Sequence, residues 1–351
     1  MKVVVTGASG NVGTSLLRSL AHEPAVDSIL GLARRVPERR FAKTEWAAAD
    51  VAHSDLGRHF RGADAVVHLA WLIQPGRDER VTREANVNGS ARVFAAAAQA
   101  GVKTLVHASS VGAYSKGPKD RAVDESWPTE GVPSSFYSRH KVEAERLLDR
   151  FEADNPGVRV VRLRPGLIFK RDAATGIRRL FAGPFLPNPL VRRELIPVVP
   201  DVPGLRFQAV HSHDVGEAYR LAVTGQATGA FNVATEPVLD PARLARLLGA
   251  RRVPLPAAVL RAGAAVSYRA HLQPTEPGWV DMGLAVPIME VRRAREELGW
   301  TPTHTSEEAL IELLEGIREG AGIETPPLAP STSGPLRIRE LLTGIGHRSG
   351  D

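Results

Sequence analysis

Lys2-Val3-Val4-Val5-Thr6-Gly7-Ala8-Ser9-Gly10-Asn11-Val12-Gly13 is the stretch whose reading decides the fold. A β-branched apolar run reads as a buried strand, glycines follow it at 7, 10 and 13, and Thr14 to Ala21 has helical spacing. Strand, glycine-rich turn and helix in that order make an anion cradle. Gly7 permits the turn, Gly10 lets backbone approach a pyrophosphate, and Gly13 lets the helix pack on the strand while its first N–H groups face the anion. The stretch predicts dinucleotide binding by Gly7, Ser9, Gly10, Asn11, Val12 and Gly13, where three glycines without flanking strand and helix would predict only a loop.

Outward from the cradle, Ser28 to Ala33 is the next strand, and its end decides the cofactor type. An acidic residue there takes the ribose hydroxyls of NAD, whereas arginine accommodates the added phosphate of NADP. Here Ala33 is followed by Arg34 and Arg35, which favours NADP(H), with NAD(H) as the alternative. Glu45 to Ala49, ending at Asp50-Val51, and Asp64 to Leu69 are further strands. A helix over 79–100 leads to the strand Thr104 to Ala108, a βαβα rhythm that predicts a doubly wound parallel sheet. That strand delivers Ser109 and Ser110 at its carboxyl end, where open α/β sheets bind ligands. A Gly- and Pro-rich loop over 111–133 then hands over to a helix over 134–153, on which Tyr137 and Lys141 share one face a turn apart.

The composition is that of a globular chain of 351 residues with a formal net charge of +6 and no cysteine. The absent thiols exclude disulfides and thiolate metal sites, no metal is expected, and a reducing cytoplasm is the natural compartment. Its arginines come as scattered pairs and not as one stripe with aromatics, which argues against nucleic acid. The most apolar stretch, Val253 to Tyr268, is broken by Arg261 and too short to span a bilayer, so no membrane association is expected. The first residues already read as a strand, so no signal segment is expected.

TGASGNVG at 6–13, Asp50-Val51, HLAW at 68–71, NVNGS at 86–90, HASSVGAYS at 107–115, YSRHK at 137–141, RLRPGLIF at 162–169, VHSHDV at 210–215, FNVA at 231–234 and LGWTP at 298–302 lie in one order along the chain. In that ordered set the chain resembles the extended short-chain dehydrogenase/reductases, also called the NAD-dependent epimerase/dehydratase family. The resemblance implies a Rossmann-type α/β fold with a smaller, interleaved, substrate-capping C-terminal domain. It places Asp50 and Val51 at the adenine, and Leu69, Ala70, Ser109 and Pro165 along the cofactor. It makes Ser110, Tyr137 and Lys141 the catalytic set, Tyr137 and Lys141 also touching the cofactor. His68 and Asn86 read as buried scaffold. Because the helices over 79–100 and 134–153 match those that pair in family dimers, it also implies a homodimer.

Residues 1–168 and 206–238 are therefore assigned to the dinucleotide-binding domain, 169–205 and 239–322 to the substrate region, and 323–351 to a Pro/Ser-rich tail, part linker and part disordered. The chemistry expected is hydride transfer with Tyr137 as general acid/base, its phenol pKa lowered from about 10 by Lys141, and Ser110 orienting the substrate oxygen. Val111-Gly112 stands where family dehydratases carry an acidic pair. Leu167 and Phe207 stand where family epimerases place asparagine and arginine, Arg206 missing by one residue. With Trp71, Phe181, Phe185, Leu186, Leu190, Val198 and Val199 as apolar candidates, this favours a small, largely uncharged carbonyl or alcohol bound by Trp71, Ser110, Leu167 and Phe185. The alternatives are a nucleotide-sugar epimerase, for which Arg178, Arg179, Arg192 and Arg193 would clamp a diphosphate, and a non-catalytic dinucleotide sensor, which the retained Tyr137, Lys141 and Ser110 argue against.

Overall fold

The computed structural model describes residues 1–74, 77–181 and 196–329. β1 (Lys2–Thr6) leads into α1 (Asn11–Ala21), β2 (Ser28–Ala33), β3 (Thr44–Ala48), the single turn α2 (Gly57–Phe60) and β4 (Ala65–His68). Next come α3 (Glu79–Arg83), a π-helical turn (Glu84–Asn88), α4 (Gly89–Gln99), β5 (Thr104–Ala108), β6 (Ala122–Val123), α5 (Phe136–Asp154), β7 (Arg159–Pro165), β8 (Leu167–Phe169) and α6 (Ala174–Phe181). After the gap follow β9 (Val198–Asp201), β10 (Ala209–His211), α7 (Ser212–Thr224), β11 (Gly229–Val233), α8 (Pro241–Leu248), β12 (Arg251–Pro254), α9 (Ala257–Arg269), α10 (Gly278–Ala285), β13 (Ile288–Met289), α11 (Arg292–Glu297) and α12 (Ser306–Glu319).

Seven strands form one parallel sheet in the order β11-β7-β5-β4-β1-β2-β3. Its central strands are covered on both faces, which is why they read as unbroken apolar runs: Val3, Val4, Val5, Val66, Val67, Leu105 and Val106 are all fully buried. On one face Leu16, Leu17 and Leu20 of α1 pack with Val215, Tyr219 and Val223 of α7. The other face is closed by Phe60, Val93, Phe94, Leu148 and Phe151. β1 pairs with β2 on one side and β4 on the other. The strand order reverses there, and the crevice outside the carboxyl ends at that point is where such sheets bind ligands.

Two local features differ from the sequence expectation. The helix expected over 79–100 is interrupted by the π turn, whose extra residue turns Asn86 inward. The Asn86 Nδ2 donates to the Leu72 carbonyl at 2.8 Å and its Oδ1 accepts from the Leu72 amide at 2.7 Å, tying down the loop after β4. The second difference is at the tail. Where a linker is expected from 323, Ile323 and Leu328 are buried against Ala173 and Ile177, and Arg179 donates to the Pro327 carbonyl at 2.7 Å. Apolar residues spaced among the prolines give this segment a face to bury. No described helix is long and apolar enough to cross a membrane.

Candidate active site

The cradle is built by close backbone approach. Gly7 has φ of +69°, and a Cβ on it would stand 2.7 Å from the Ala70 amide nitrogen, so the loops after β1 and β4 meet only because the side chain is missing. A Cβ on Gly13 would stand 2.5 Å from the carbonyl oxygens of Gly7 and Ala8, which is how α1 seats on its turn. Gly10 caps α1 without any side-chain hydrogen bond, and the first turn carries no acidic residue. The free N–H groups and the positive end of the helix dipole are thus left for an anion. Ser9 is buried beside them, Val12 is half-buried, and Asn11 donates from Nδ2 to the Ile168 carbonyl at 3.2 Å while its buried Oδ1 has no hydrogen-bond partner among the described residues. Uncapped amides, an orphaned acceptor and backbone too close for any Cβ together fit a pyrophosphate and its ribose.

Past β3 the Asp50 carboxylate is oriented by the Ala52 amide at 2.9 Å, and Val51 packs against Gly89. Arg34 and Arg35 are exposed just past β2, and neither guanidinium pairs with a carboxylate among the described residues. Leu69 and Ala70 are held from Thr6, through its carbonyl at 3.1 Å and its hydroxyl at 3.4 Å. Pro165 is buried at the end of β7. His68 is scaffold: its ring bonds Thr6 at 2.7 Å and Ser90 at 2.9 Å, and burial pushes its pKa down to about 3, so the ring is neutral.

Ser110, Tyr137 and Lys141 come together at the carboxyl end of β5. Ser135 N-caps α5 and sets Tyr137 in its first turn, with Lys141 one turn on. The Ser110 Oγ accepts from the Gly112 amide at 3.0 Å and interacts with the phenol. Lys141 is buried, donates from Nζ to the Ala108 carbonyl at 2.7 Å and lies 3.3 Å from the centroid of the Trp71 ring. Burial pushes its pKa well below the ordinary lysine value, and the Glu145 carboxylate one turn further on pulls the other way. Burial raises the Tyr137 phenol to about 12, with Ser110 drawing it down. The lowering of that phenol by Lys141, expected from the sequence, is therefore corrected. The amine is anchored to Ala108 and Trp71, 5.7 Å from the Tyr137 ring centroid, and its own charge is disfavoured by burial.

Ser109 also differs from expectation. Its hydroxyl is donated to Glu145, whose carboxylate pairs with Arg164 at 2.5 Å in the interior. Around the phenol stands an aromatic wall. Trp71 meets Tyr137 edge-on at 6.1 Å between centroids, Trp279 at the start of α10 lies 4.8 Å from Tyr137, and Phe181 lies 5.0 Å from Trp279. Beyond Phe181 a groove of about 480 Å³ runs between α9 and α10, lined by Val259, Leu260, Ala264 and Val280. Leu167 is exposed on β8. Phe185, with Leu186, Leu190, Arg192 and Arg193, lies outside the described residues.

A sequence model of the NAD dependent epimerase/dehydratase family matches residues 3–234, the span from β1 through β11. The chain belongs to that family. A further relative, an uncharacterized protein of Mycobacterium tuberculosis, is 28% identical over 332 residues, which are 92% of this chain and 31% of that protein. The chain thus spans well under half the length of this curated relative. A 4-hydroxy-2-methyl-3-oxo-4-farnesyl-3,4-dihydroquinoline-1-oxide ketoreductase of Stigmatella aurantiaca is 30% identical over 185 residues, 49% of this chain and 52% of that one. The solved structure of UDP-glucose 4-epimerase from Thermus thermophilus, in complex with NAD, shares the fold with a TM-score of 0.67 at 21% identity, covering 91% of this chain and 99% of that one.

Within this family member, Trp279 is the site residue that sequence reasoning missed. It follows Gly278 on a short helix that sits on the first turn of α5, and only packing brings it to Tyr137. Its one available signal was an aromatic residue in the stretch assigned to the substrate region.

Proposed function

We propose that the protein is an NAD(P)-dependent oxidoreductase that moves a hydride between nicotinamide and the carbonyl or alcohol carbon of a small, largely uncharged substrate. The observation that carries the reading is the meeting of Ser110, Tyr137 and Lys141 at the ligand-binding edge of the sheet, inside a wall of Trp71, Trp279 and Phe181. The cofactor, held by the Gly7–Gly13 turn, supplies the hydride chemistry. Ser110 orients the substrate oxygen by hydrogen bond. The Tyr137 phenol, kept protonated by burial, gives its proton to that oxygen as negative charge develops on it. Lys141 fixes the ribose and the loop carbonyl of Ala108, and the aromatic wall excludes water. The groove beyond Phe181 suits an apolar extension of the substrate. The Stigmatella relative, a ketoreductase by name, supports reduction of a ketone. Arg34 and Arg35 support NADP(H) over NAD(H).

The test is oxidation of NADPH against a panel of uncharged ketones and aldehydes, with Tyr137→Phe beside the unaltered protein. Loss of the phenol hydroxyl lowers turnover by about 10²–10⁴-fold while cofactor binding survives. Near-normal turnover of the variant on the same substrate refutes the assignment, and saturable binding of a nucleotide sugar in place of the ketones moves the reading to epimerisation.

A further inference from the structure

Lys170 follows β8 directly, is 1% exposed, and takes no part in the chemistry proposed above. Its Nζ donates to the Asn11 carbonyl at 2.7 Å, the Thr14 Oγ1 at 2.7 Å and the Ser15 Oγ at 3.0 Å. All three acceptors belong to the start of α1, the helix whose uncapped end forms the cradle. The hydroxyls then pass their own protons on. Thr14 donates to the Gly10 carbonyl at 2.9 Å, Ser15 lies 2.9 Å from the Ser212 Oγ, and Ser212 donates to the Asn11 carbonyl at 3.2 Å. Three acceptors match an ammonium with three protons to give, whereas the neutral amine needs one hydroxyl turned back toward it.

Among the described residues no carboxylate is bonded to the ammonium. The charged and titratable groups facing it are Arg18 of α1, His213 of α7, Asp172 after β8 and Glu312 of α12. Asp172 pairs with Arg18 at 3.1 Å, Glu312 lies 3.1 Å from His211, whose charged form burial disfavours, and His213 contacts Arg18 at 3.1 Å. A buried cation with no counter-charge bonded to it is costly. The acceptors lie in the first turns of α1, on the same helix end whose uncapped N–H groups form the cradle.

We propose that Lys170 is a buried cation whose counter-charge is the pyrophosphate of the dinucleotide, held behind it by Asn11, Thr14 and Ser15, and that cofactor binding draws a proton onto its amine. The inference rests on the dinucleotide reading of the cradle. Burial, with Arg18 beside it, pushes Lys170 down to about 7, against the pull of Asp172 and Glu312. An arriving anion favours the charged form and raises that pKa. Between the free and bound values binding therefore takes up a proton, and affinity falls as pH rises through that window. Lys170 is a positioning residue, acting through α1.

The experiment is calorimetric titration of the full chain with NADPH and NADH at about pH 8 in two buffers of different ionisation enthalpy, repeated near pH 7. The unaltered protein takes up several tenths of a proton per dinucleotide bound. Lys170→Met takes up none from this source and binds on the order of tenfold more weakly at the lower pH, with the pH dependence flattened. Lys170→Arg, whose charge is permanent, keeps the affinity and loses the uptake, a pattern that a merely structural role does not produce. Binding without proton uptake in the unaltered protein overturns the inference and leaves the cradle reading standing. Uptake that persists in Lys170→Met and Lys170→Arg assigns the proton to another group and overturns it as well. Failure of both dinucleotides to bind removes the cradle reading and the inference together.

Discussion

Glu145→Gln removes the charge that organises the floor of the site. The carboxylate is 3% exposed, takes two hydrogen bonds from Arg164 at 2.8 and 2.5 Å and one from Ser109, and lies 3.5 Å from Arg162. Breaking such a pair from one side strands a buried guanidinium, which costs about 3–5 kcal/mol. Arg162 keeps Asp149 and Glu152, so the loss belongs near the lower end, about 3 kcal/mol. For a chain of this size that lowers Tm by roughly 4 °C. The pH dependence has a definite sign. Burial would raise the Glu145 pKa, but Arg164, Arg162 and Ser109 outweigh it and hold the carboxyl below its ordinary 4.5. Its contribution is thus full above that value and is lost as pH falls through the lower folded pKa, so the variant and the unaltered protein converge on acidification. Thermal and urea unfolding at neutral pH and below about pH 4.5 measure both effects. The double variant Glu145→Gln with Arg164→Met removes both charges and recovers part of the loss. A single variant within about 1 kcal/mol of the unaltered protein, or a double variant that loses the full sum, refutes the reasoning.

Replacing Arg34 and Arg35 by alanine weakens NADPH binding and leaves NADH binding nearly unchanged, which direct titration checks; equal effects on both cofactors remove these arginines from the phosphate site. Trp279→Ala opens the wall beside Tyr137, raising KM for apolar ketones by about tenfold with a smaller change in cofactor affinity, measured by steady-state kinetics. Because burial holds the Tyr137 phenol near 12, alcohol oxidation rises with pH by about tenfold per unit between roughly pH 6 and 9, while ketone reduction keeps its proton donor throughout. A flat oxidation profile over that range tells against Tyr137 as the base.

The cradle and the pairing of Tyr137 with Lys141 were legible because each is local. Glycines after a β-branched run specify a turn at that point, and a four-residue step on a helix places two side chains on one face whatever surrounds them. The parallel sheet was legible from its rhythm, since strands buried on both faces must read as apolar runs, and the family match from residue 3 to 234 agrees with it. What sequence alone did not decide were the consequences of burial and of contacts distant along the chain. The spacing of Tyr137 and Lys141 does not reveal that Ala108 and Trp71 hold the lysine's amine, nor that burial pushes the phenol up and not down. Nor do adjacent serines reveal that one hydroxyl turns to the buried Glu145 and the other to Tyr137. Trp279 reaches Tyr137, and Lys170 reaches the start of α1, only through the packing of α10 on α5 and of β8 beside β10. Local spacing determines which groups share a turn or a face; desolvation and partners supplied by remote segments determine their charge and orientation, and those were settled by the tertiary structure.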